Sequence, residues 1–156
     1  MRIRLISVGT RMPGWVNQGV EEYARRIQNE LGFSIVEVPL AKRSKAQAVS
    51  QAMAKEGSAM LGKIERDEFV VALDVKGRSL DTVALAGRLQ YFREEGRNVS
   101  LLIGGPDGLD AGCLQRADEK WSLSALTLPH PLVRVLVTEQ LYRAHSLLQG
   151  HPYHRE

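Results

Sequence analysis

Cysteine is nearly absent from the sequence, which has one residue of this type, Cys113, among 156. A single cysteine excludes an internal disulfide and a multi-cysteine zinc site, and it favours a protein of the reducing cytoplasm. Long hydrophobic runs are missing too, because no stretch approaches the roughly 20 apolar residues of a membrane span. The first ten residues, MRIRLISVGT, contain only a short apolar stretch, so we expect no signal peptide.

Charge of one sign is also scarce, because 21 basic and 18 acidic side chains leave a net charge of only +3. The excess of positive charge lies in the N-terminal part of the chain. Residues 1–60 carry nine Lys and Arg against five Asp and Glu, and all four histidines lie within residues 129–156. This distribution excludes a polycationic tail and predicts a modest basic surface formed by the N-terminal part of the chain.

What the sequence does contain is an ordinary globular balance, with 44% hydrophobic and 25% charged residues. Without a repeat, low-complexity tract or linker, these proportions predict a single domain over residues 1–156. Nearly continuous apolar runs alternate with amphipathic stretches, which is typical of an α/β domain whose mainly parallel sheet is flanked by helices. Strands are expected at Ile3–Val8, 33–38, 69–73, Val99–Ile103 and 121–128.

Helical periodicity predicts five helices between and after these strands. Apolar stripes mark the first three of these helices. The first stripe is Val16, Val20, Tyr23, Ile27 and Leu31, and the second is Val49, Met53, Met60 and Leu61. The third is Leu85, Leu89 and Phe92, in a helix for which Asp81 is the expected N-cap. A short helix is expected after Asp110. The last helix, over 131–148, is apolar on most faces, which predicts that part of it meets a second subunit in a homodimer.

A glycine-rich segment, Gly104-Gly105-Pro106-Asp107-Gly108, directly follows the fourth predicted strand. Ligands of parallel sheets bind beyond the carboxyl ends of the strands, and glycines let a ligand approach the backbone closely. The alternative is a tight turn into the next helix. The segment is neither G-x-G-x-x-G nor a P-loop, so it does not indicate nucleotide triphosphate chemistry.

Metal and hydrolase chemistry receive little support from the sequence. His130, His145, His151 and His154 form no H-E-x-x-H pair, and Cys113 lies apart from them, so no metal site is predicted. No G-x-S-x-G elbow is present, which argues against an α/β-hydrolase.

The segment 121–131, WSLSALTLPHP, is expected to pass from a strand into a rigid loop that leads into the last helix. Pro129 and Pro131 each fix a φ angle and restrict the residue before them. A loop of small side chains with a fixed backbone presents amides and carbonyls in set directions, which suits adenine or another flat polar ligand. His130 is interpreted first as a structural histidine, with catalysis as the alternative.

The residues GGPDG, WSLSALTLPHPLVRVLVTEQLYRAHS and the final HPYHRE resemble the RlmH-type ribosomal RNA methyltransferases of the α/β-knot (SPOUT) superfamily. The similarity also covers LISVGTRMPGWV, KRSK and LDVKG, and so extends over the whole chain. It implies S-adenosylmethionine-dependent methylation of N3 of pseudouridine 1915 in 23S ribosomal RNA, on assembled ribosomes, by a cytoplasmic homodimer. It also implies a C-terminal trefoil knot, which the general rule against threaded chains would have rejected.

The resemblance assigns a cofactor site to the C-terminal part of the chain, about residues 99–150, followed by a tail at 151–156. Asp107 receives no role. The positions that match the family's cofactor-binding pattern are Leu73, Gly104, Gly105, Leu123, Ser124, Ala125, Leu126, Thr127 and Leu128.

Methylation of an imide nitrogen requires the loss of its proton, which a nearby cation or a general base assists. Arg143 and His154 are the candidate catalytic residues. Tyr153 and Arg155 are candidates for stacking on a base and holding a phosphate, although a C-terminal tail can also fray. Glu139 is better explained as a helix-surface partner of Arg143.

Lys42, Arg43 and Lys45 form a basic loop after the second strand. Such a triplet is often only a solvated loop, but a ribosomal substrate makes phosphate contact the preferred interpretation. Two alternatives to the methyltransferase remain open at this point. One is a flavodoxin-like or dinucleotide-binding domain, and the other is a non-catalytic RNA-binding knotted module.

Overall fold

The computed structural model describes residues 1–45 and 48–155, except for the side chain of His154. The strands are β1 (Ile3–Val8), β2 (Ser34–Val38), β3 (Phe69–Ser79), β4 (Val99–Ile103) and β5 (Glu119–Ser122). The helices are α1 (Gly14–Ala24), α2 (Val49–Leu61), α3 (Thr82–Glu95), α4 (Ala111–Arg116) and α5 (His130–Leu148). A 3₁₀ turn, Pro152–His154, follows α5.

The five strands form one parallel sheet in the order β2-β1-β4-β3-β5. Leu101 of β4 is central, since it pairs with Leu5 of β1 on one side and with Val71 of β3 on the other. The predicted α/β class, the mainly parallel sheet and the flanking helices are therefore confirmed. Among the described residues, no helix is long and apolar enough to cross a bilayer.

Successive strand residues pack into two separate cores, one on each face of the sheet, because side chains alternate along a strand. Leu5, Val71 and Leu101 lie on the face covered by α1, α3 and α5. Ile6 and Leu102 lie on the face covered by α2 and α4. Burial on both faces explains the continuous apolar runs in the sequence.

The first helix is shorter than its apolar stripe. It ends at Ala24, where the amides of Arg26 and Ile27 bond to carbonyls three residues back, at 3.0 Å each. These bonds tighten the chain into turns, yet Ile27 and Leu31 still reach the core. In α2, Val49 is about half exposed rather than part of the buried stripe. Helices do begin directly after Asp81 and Asp110, as predicted.

The fifth strand is also shorter than predicted, ending at Ser122 instead of continuing to residue 128. The hydroxyl of Ser122 donates to the Ser124 carbonyl at 3.0 Å, and the Ser124 hydroxyl accepts from the amide of Leu126 at 2.9 Å. These side-chain bonds offer the backbone an alternative to the sheet ladder. The segment 123–129 is consequently a loop.

The third strand, in contrast, continues past residue 73 to Ser79, with an irregularity between Leu73 and Arg78, both of which pair with Trp121. The intervening backbone bulges and crosses β5 closely at Gly77. A Cβ at Gly77 would lie 2.6 Å from the carbonyl carbon and 2.7 Å from the carbonyl oxygen of Lys120. Only glycine permits this approach of the two backbones.

Arg134 fixes the start of α5 against the sheet. Its side chain is buried, and its guanidinium lies 2.6 Å from a carboxylate oxygen of Glu37 in β2. It also donates to the hydroxyl of Ser7 and the carbonyl of Gly9, each at 3.1 Å. The amino end of α5 is thereby held at the carboxyl ends of β1 and β2.

We predict that Gly77→Ala lowers the free energy of unfolding by about 1–3 kcal/mol, because the added methyl overpacks against the backbone of Lys120. Gly87 in α3 is the matched control, since a Cβ there meets no atom within 4 Å. Gly87→Ala should raise stability by up to about 1 kcal/mol through helix propensity. Urea unfolding measures the change in stability for both variants. Equal effects of the two substitutions would contradict the close crossing of β3 and β5 at Gly77.

Candidate active site

A pocket of about 520 Å³ opens at the carboxyl ends of β4 and β5, beside the bulge in β3. Such a position is where parallel α/β sheets bind ligands. The pocket brings together every predicted cofactor-binding residue except Ala125, which is exposed nearby. The predicted positions that line it are Leu73, Gly104, Gly105, Leu123, Ser124, Leu126, Thr127 and Leu128.

One wall of the pocket is the glycine segment after β4, which forms the tight turn that the sequence offered as an alternative. The amide of Gly108, whose φ is 88°, donates to the carbonyl of Gly105 at 3.0 Å. A Cβ at Gly104 would lie 2.6 Å from the carbonyl oxygen of Gly108. The turn is therefore closed upon itself, with no room for a side chain at Gly104.

The facing wall is the loop 123–129, shaped by the serine hydrogen bonds described above. In the part of the chain that the structure describes, the amides of Ala125, Thr127 and Leu128 donate no hydrogen bond. Leu126 is 74% exposed at the rim. The loop thus offers free backbone donors beside apolar side chains, a combination that fits the binding of a flat heterocycle.

His130, the first residue of α5, also lines the pocket. Burial, and then the charge of Arg134, hold the pKa of His130 below its ordinary value. The imidazole is thus neutral near pH 7, and its buried Nδ1 is unpaired among the described residues.

Asp74, Val75 and Lys76 complete the pocket, and the sequence did not indicate them. They occupy the bulge of β3, and the amide of Lys76 donates to a carboxylate oxygen of Asp74 at 3.1 Å. The only signal for them in the sequence is the segment LDVKG, which belongs to the family resemblance and does not predict a bulge in β3.

The basic residues of the loop after β2 differ in their surroundings, since Arg43 is paired with carboxylates and the two lysines are exposed. Arg43 lies 2.5 Å from a carboxylate oxygen of Glu56, which is 3% exposed, and 2.9 Å from Asp107. These carboxylates raise the pKa of Arg43 above its ordinary value. Asp107 therefore has a structural role after all, since it links the glycine turn to this loop. Lys42 and Lys45 are exposed.

Arg143, Glu139 and Tyr153 form a second group on α5. Arg143 lies 2.6 Å from Glu139, which confirms the expected pair, and the Tyr153 hydroxyl donates to the same Glu139 oxygen at 3.1 Å. Burial, with the charge of Glu139, raises the pKa of Tyr153, so the phenol stays protonated. The Tyr153 ring also lies under the Arg143 guanidinium and 4.4 Å from the Tyr142 ring.

This second group lies apart from the pocket within one chain. The pocket contacts the first turn of α5, at His130 and Val133, whereas Arg143 is ten residues beyond Val133. Ten residues of helix span about 15 Å. Arg155 is exposed, and the side chain of His154 lies outside the described residues. One chain does not bring the candidate catalytic and cofactor residues together.

Other chemistry finds no support among the residues that the structure describes. They contain no group of three His, Cys, Asp or Glu side chains placed to hold a metal ion. Cys113 is fully buried, and burial raises the pKa of its thiol to about 11. The thiol therefore carries its proton at neutral pH and is a poor nucleophile.

Comparisons with known proteins point to one family. A family model described as "Predicted SPOUT methyltransferase" matches residues 1–154. The chain belongs to the SPOUT methyltransferases. A protein from Saccharophagus degradans named ribosomal RNA large subunit methyltransferase H is 58% identical over 99% of this chain and 100% of that protein. One of the same name from Alkalilimnicola ehrlichii is 57% identical over 99% of each.

Solved structures show the same SPOUT fold at low sequence identity. A "probable methyltransferase" from Bordetella pertussis superposes with a TM-score of 0.55 at 19% identity, over 92% of this chain and 95% of that one. A "probable methylase family protein" from Haemophilus influenzae gives 0.56 at 14% identity, over 99% and 70%. The resemblance stated from the sequence is confirmed at the level of the family.

We predict that Arg43 stabilises this SPOUT domain. Arg43→Met leaves the buried Glu56 carboxylate without its charged partner, so the free energy of unfolding should fall by about 3 kcal/mol, the low end for a broken buried ion pair. Lys42→Met changes the same charge at an exposed neighbour and should have little effect. Urea unfolding distinguishes them, and a similar small change in both would refute the structural role.

Acid should destabilise the domain through two histidines, His145, which is buried, and His130, which is partly buried. Burial lowers the pKa of His130 and of His145, so the unfolded chain takes up protons first as the pH falls below about 6.5. Their contribution to stability is complete above that pH and is lost as the pH falls toward the lower native pKa. Unfolding measured from pH 8 to 5 should show a flatter profile in His130→Gln/His145→Gln. A double variant with the same dependence of stability on pH as the wild type would contradict the lowered pKa values of the two histidines.

Proposed function

We propose that this protein transfers the methyl group of S-adenosylmethionine to N3 of a pseudouridine in 23S ribosomal RNA, on assembled ribosomes in the cytoplasm. The observation that carries the proposal is the pocket itself, which unites Leu73, the glycine turn and the loop after β5. The relatives named ribosomal RNA large subunit methyltransferase H support the substrate class, because they match this chain over its whole length.

The residues of the pocket fit this cofactor. The free amides of Ala125, Thr127 and Leu128 would hold the adenine edge, while Leu73 and Leu126 would cover its apolar faces. The closed turn around Gly104 presents backbone rather than a side chain to the pocket, so the cofactor would contact the chain closely there. When bound, S-adenosylmethionine supplies a methyl group on a positively charged sulfur.

The protein's own residues would place the base and assist the loss of the N3 proton. The Arg143 guanidinium stays charged, because Glu139 raises its pKa, and it would stabilise negative charge that develops on the pseudouridine. Tyr153, held protonated beside Glu139, would donate a hydrogen bond or stack on the base. His154 and Arg155 stay candidates for the proton acceptor and a phosphate contact, respectively.

We further propose that two copies of the chain form each active site. The pocket and the group around Arg143 lie far apart on α5 of one chain, so a second copy is needed to bring them together. The residues of α5 that are partly exposed include Leu132, Val133, Val135 and Leu136, and they would bury apolar surface in a homodimer. Lys42 and Lys45 would add phosphate contacts, with Arg43 holding their loop in place.

The C-terminal part, about 99–150, would form the trefoil knot of the family. The supporting observation is the path of the chain: after β5 at the edge of the sheet, the loop 123–129 leads into α5, which lies against the central strands β1 and β4. The tail 151–156 would then belong to the substrate side of the site.

The experiment that tests the function offers labelled S-adenosylmethionine with naked 23S ribosomal RNA, free large subunits or whole ribosomes, and locates the methyl group by mass spectrometry. Transfer to N3 of the pseudouridine, highest on whole ribosomes, is expected. If calorimetry detects no cofactor binding at millimolar concentration, the non-catalytic RNA-binding module is favoured instead. A bound flavin or dinucleotide seen by absorbance would favour the third class.

We predict that two inactive variants restore activity when mixed. Gly104→Ala forces a methyl group against the backbone of Gly108 and so distorts the turn that forms one pocket wall, while Arg143→Gln removes the guanidinium. Each homodimer should therefore lose most of its transfer activity. Random mixing makes half of the dimers mixed, each with one intact site, and should recover about a quarter of the wild-type rate. Circular dichroism and sedimentation verify folding and assembly. Failure to recover activity in verified mixed dimers would place the site within one chain.

A further inference from the structure

Three exposed cations gather where the end of β3 crosses β5. Lys76 and Arg78 flank Gly77, and the backbone of Gly77 lies directly against that of Lys120. Arg78 also pairs with Trp121, the residue after Lys120. Residues far apart in the sequence therefore bring three positive charges to one edge of the sheet.

The carboxylates of the same two segments already have partners. Asp74 accepts from the amide of Lys76, and Asp118 accepts from the amide of Val70 at 2.8 Å. Glu119 is paired with Arg88 and accepts from the indole N–H of Trp121 at 2.9 Å. Glu119 and Asp118 are thus paired with Arg88 and Arg116, whereas Asp74 has only a backbone partner among the described residues and keeps its negative charge.

Lys76, Arg78 and Lys120 themselves form no ion pair with any residue that the structure describes. By contrast, Arg88 and Arg116, which approach the same segments, are each paired with a carboxylate. Even with Asp74 counted against the three cations, this edge therefore carries an excess of positive charge. The charge count of the sequence concealed it, because residues 61–128 carry nine basic and eleven acidic side chains.

This basic edge adjoins the mouth of the pocket. Lys76 lines the pocket and belongs to the basic edge as well, and Arg78 is two residues further along the same strand. A nucleotide that reaches the cofactor at the mouth of the pocket remains joined to its neighbours through phosphodiesters. The charge and the position together match a polyanionic chain that passes the pocket mouth.

We propose that Lys76, Arg78 and Lys120 bind the phosphate backbone of ribosomal RNA next to the nucleotide that is methylated at the mouth of the pocket. The inference rests on the proposed function and adds to it a second basic surface, separate from the loop of Lys42 and Lys45. A backbone contact of this kind positions the RNA without reading its sequence.

The competing explanation concerns the edge strand. Charged side chains on an edge strand prevent it from pairing with other chains, and β5 is the last strand of the sheet. Charge reversal separates the two explanations. Arg78→Glu/Lys120→Glu keeps the edge charged, so protection against edge pairing is preserved while attraction to phosphate is replaced by repulsion.

The test measures binding of the full-length protein to ribosomes from 50 to 200 mM salt. Arg78→Gln/Lys120→Gln should reduce the slope of log K against log salt by about 1.4 to 1.8, the contribution of two phosphate contacts. Affinity at 50 mM salt should fall about tenfold or more, and further in the Glu variant. Binding of S-adenosylmethionine should not change, since neither residue lines the pocket.

The matched control is Lys63→Gln/Arg66→Gln, which removes the same charge from exposed residues that precede β3, at the amino end of that strand and so at the end of the sheet away from the pocket. If Arg78 and Lys120 variants have the same affinity and salt slope as this control, the inference is overturned, while methylation by the wild type leaves the proposed function intact. A wild-type protein that transfers no methyl to ribosomal RNA would overturn the proposed function, and this inference with it.

Discussion

The buried guanidinium of Arg134 holds the beginning of α5 against the sheet. It bonds to a carboxylate of β2, a hydroxyl of β1 and the carbonyl of Gly9, and so fixes one end of the loop 123–129. The other end of that loop is fixed by the pairing of β5 with β3. A loop with both ends fixed and serine bonds within it loses little further conformational entropy when a ligand binds.

The pocket depends on backbone more than on side chains. Its two walls are a glycine turn and a loop of small residues, and its donors are amides. Few of its features therefore depend on the type of side chain. The backbone dihedral angles, in contrast, depend on Gly104, Gly108 and the prolines around His130. Asp74, Lys76 and Asp107 are the charged side chains that line the pocket among the described residues. The other charged groups lie outside it, on the β2 loop, the rest of the basic edge of β3 and β5, and α5. In the proposed function, the cofactor is bound by backbone and the RNA by charge.

The sequence predicted what periodicity controls. The parallel sheet, the helices behind Asp81 and Asp110, and the position of the pocket beyond the strands all follow from alternation, capping and topology. The sequence did not predict features that depend on contacts between residues far apart in the chain. The ion pairs of Arg43 with Glu56 and Asp107, 13 and 64 residues away, leave no pattern in the chain. The end of β5 and the bulge of β3 depend on local side-chain bonds and on one backbone crossing, which composition does not reveal. The roles of the cofactor residues came from family resemblance rather than from spacing.

The lone cysteine has a practical consequence. Cys113 is completely buried between α4 and α2, with its sulfur 3.7 Å from the carbonyl of Gly57. A thiol reagent can reach it only when this layer opens, so the modification rate under native conditions reports how often α2 and α4 separate from the sheet. The wild-type chain thus carries a built-in reporter of local opening on the face away from α5. Comparing that rate with and without bound cofactor would show whether ligand binding at the glycine turn tightens the opposite helical layer.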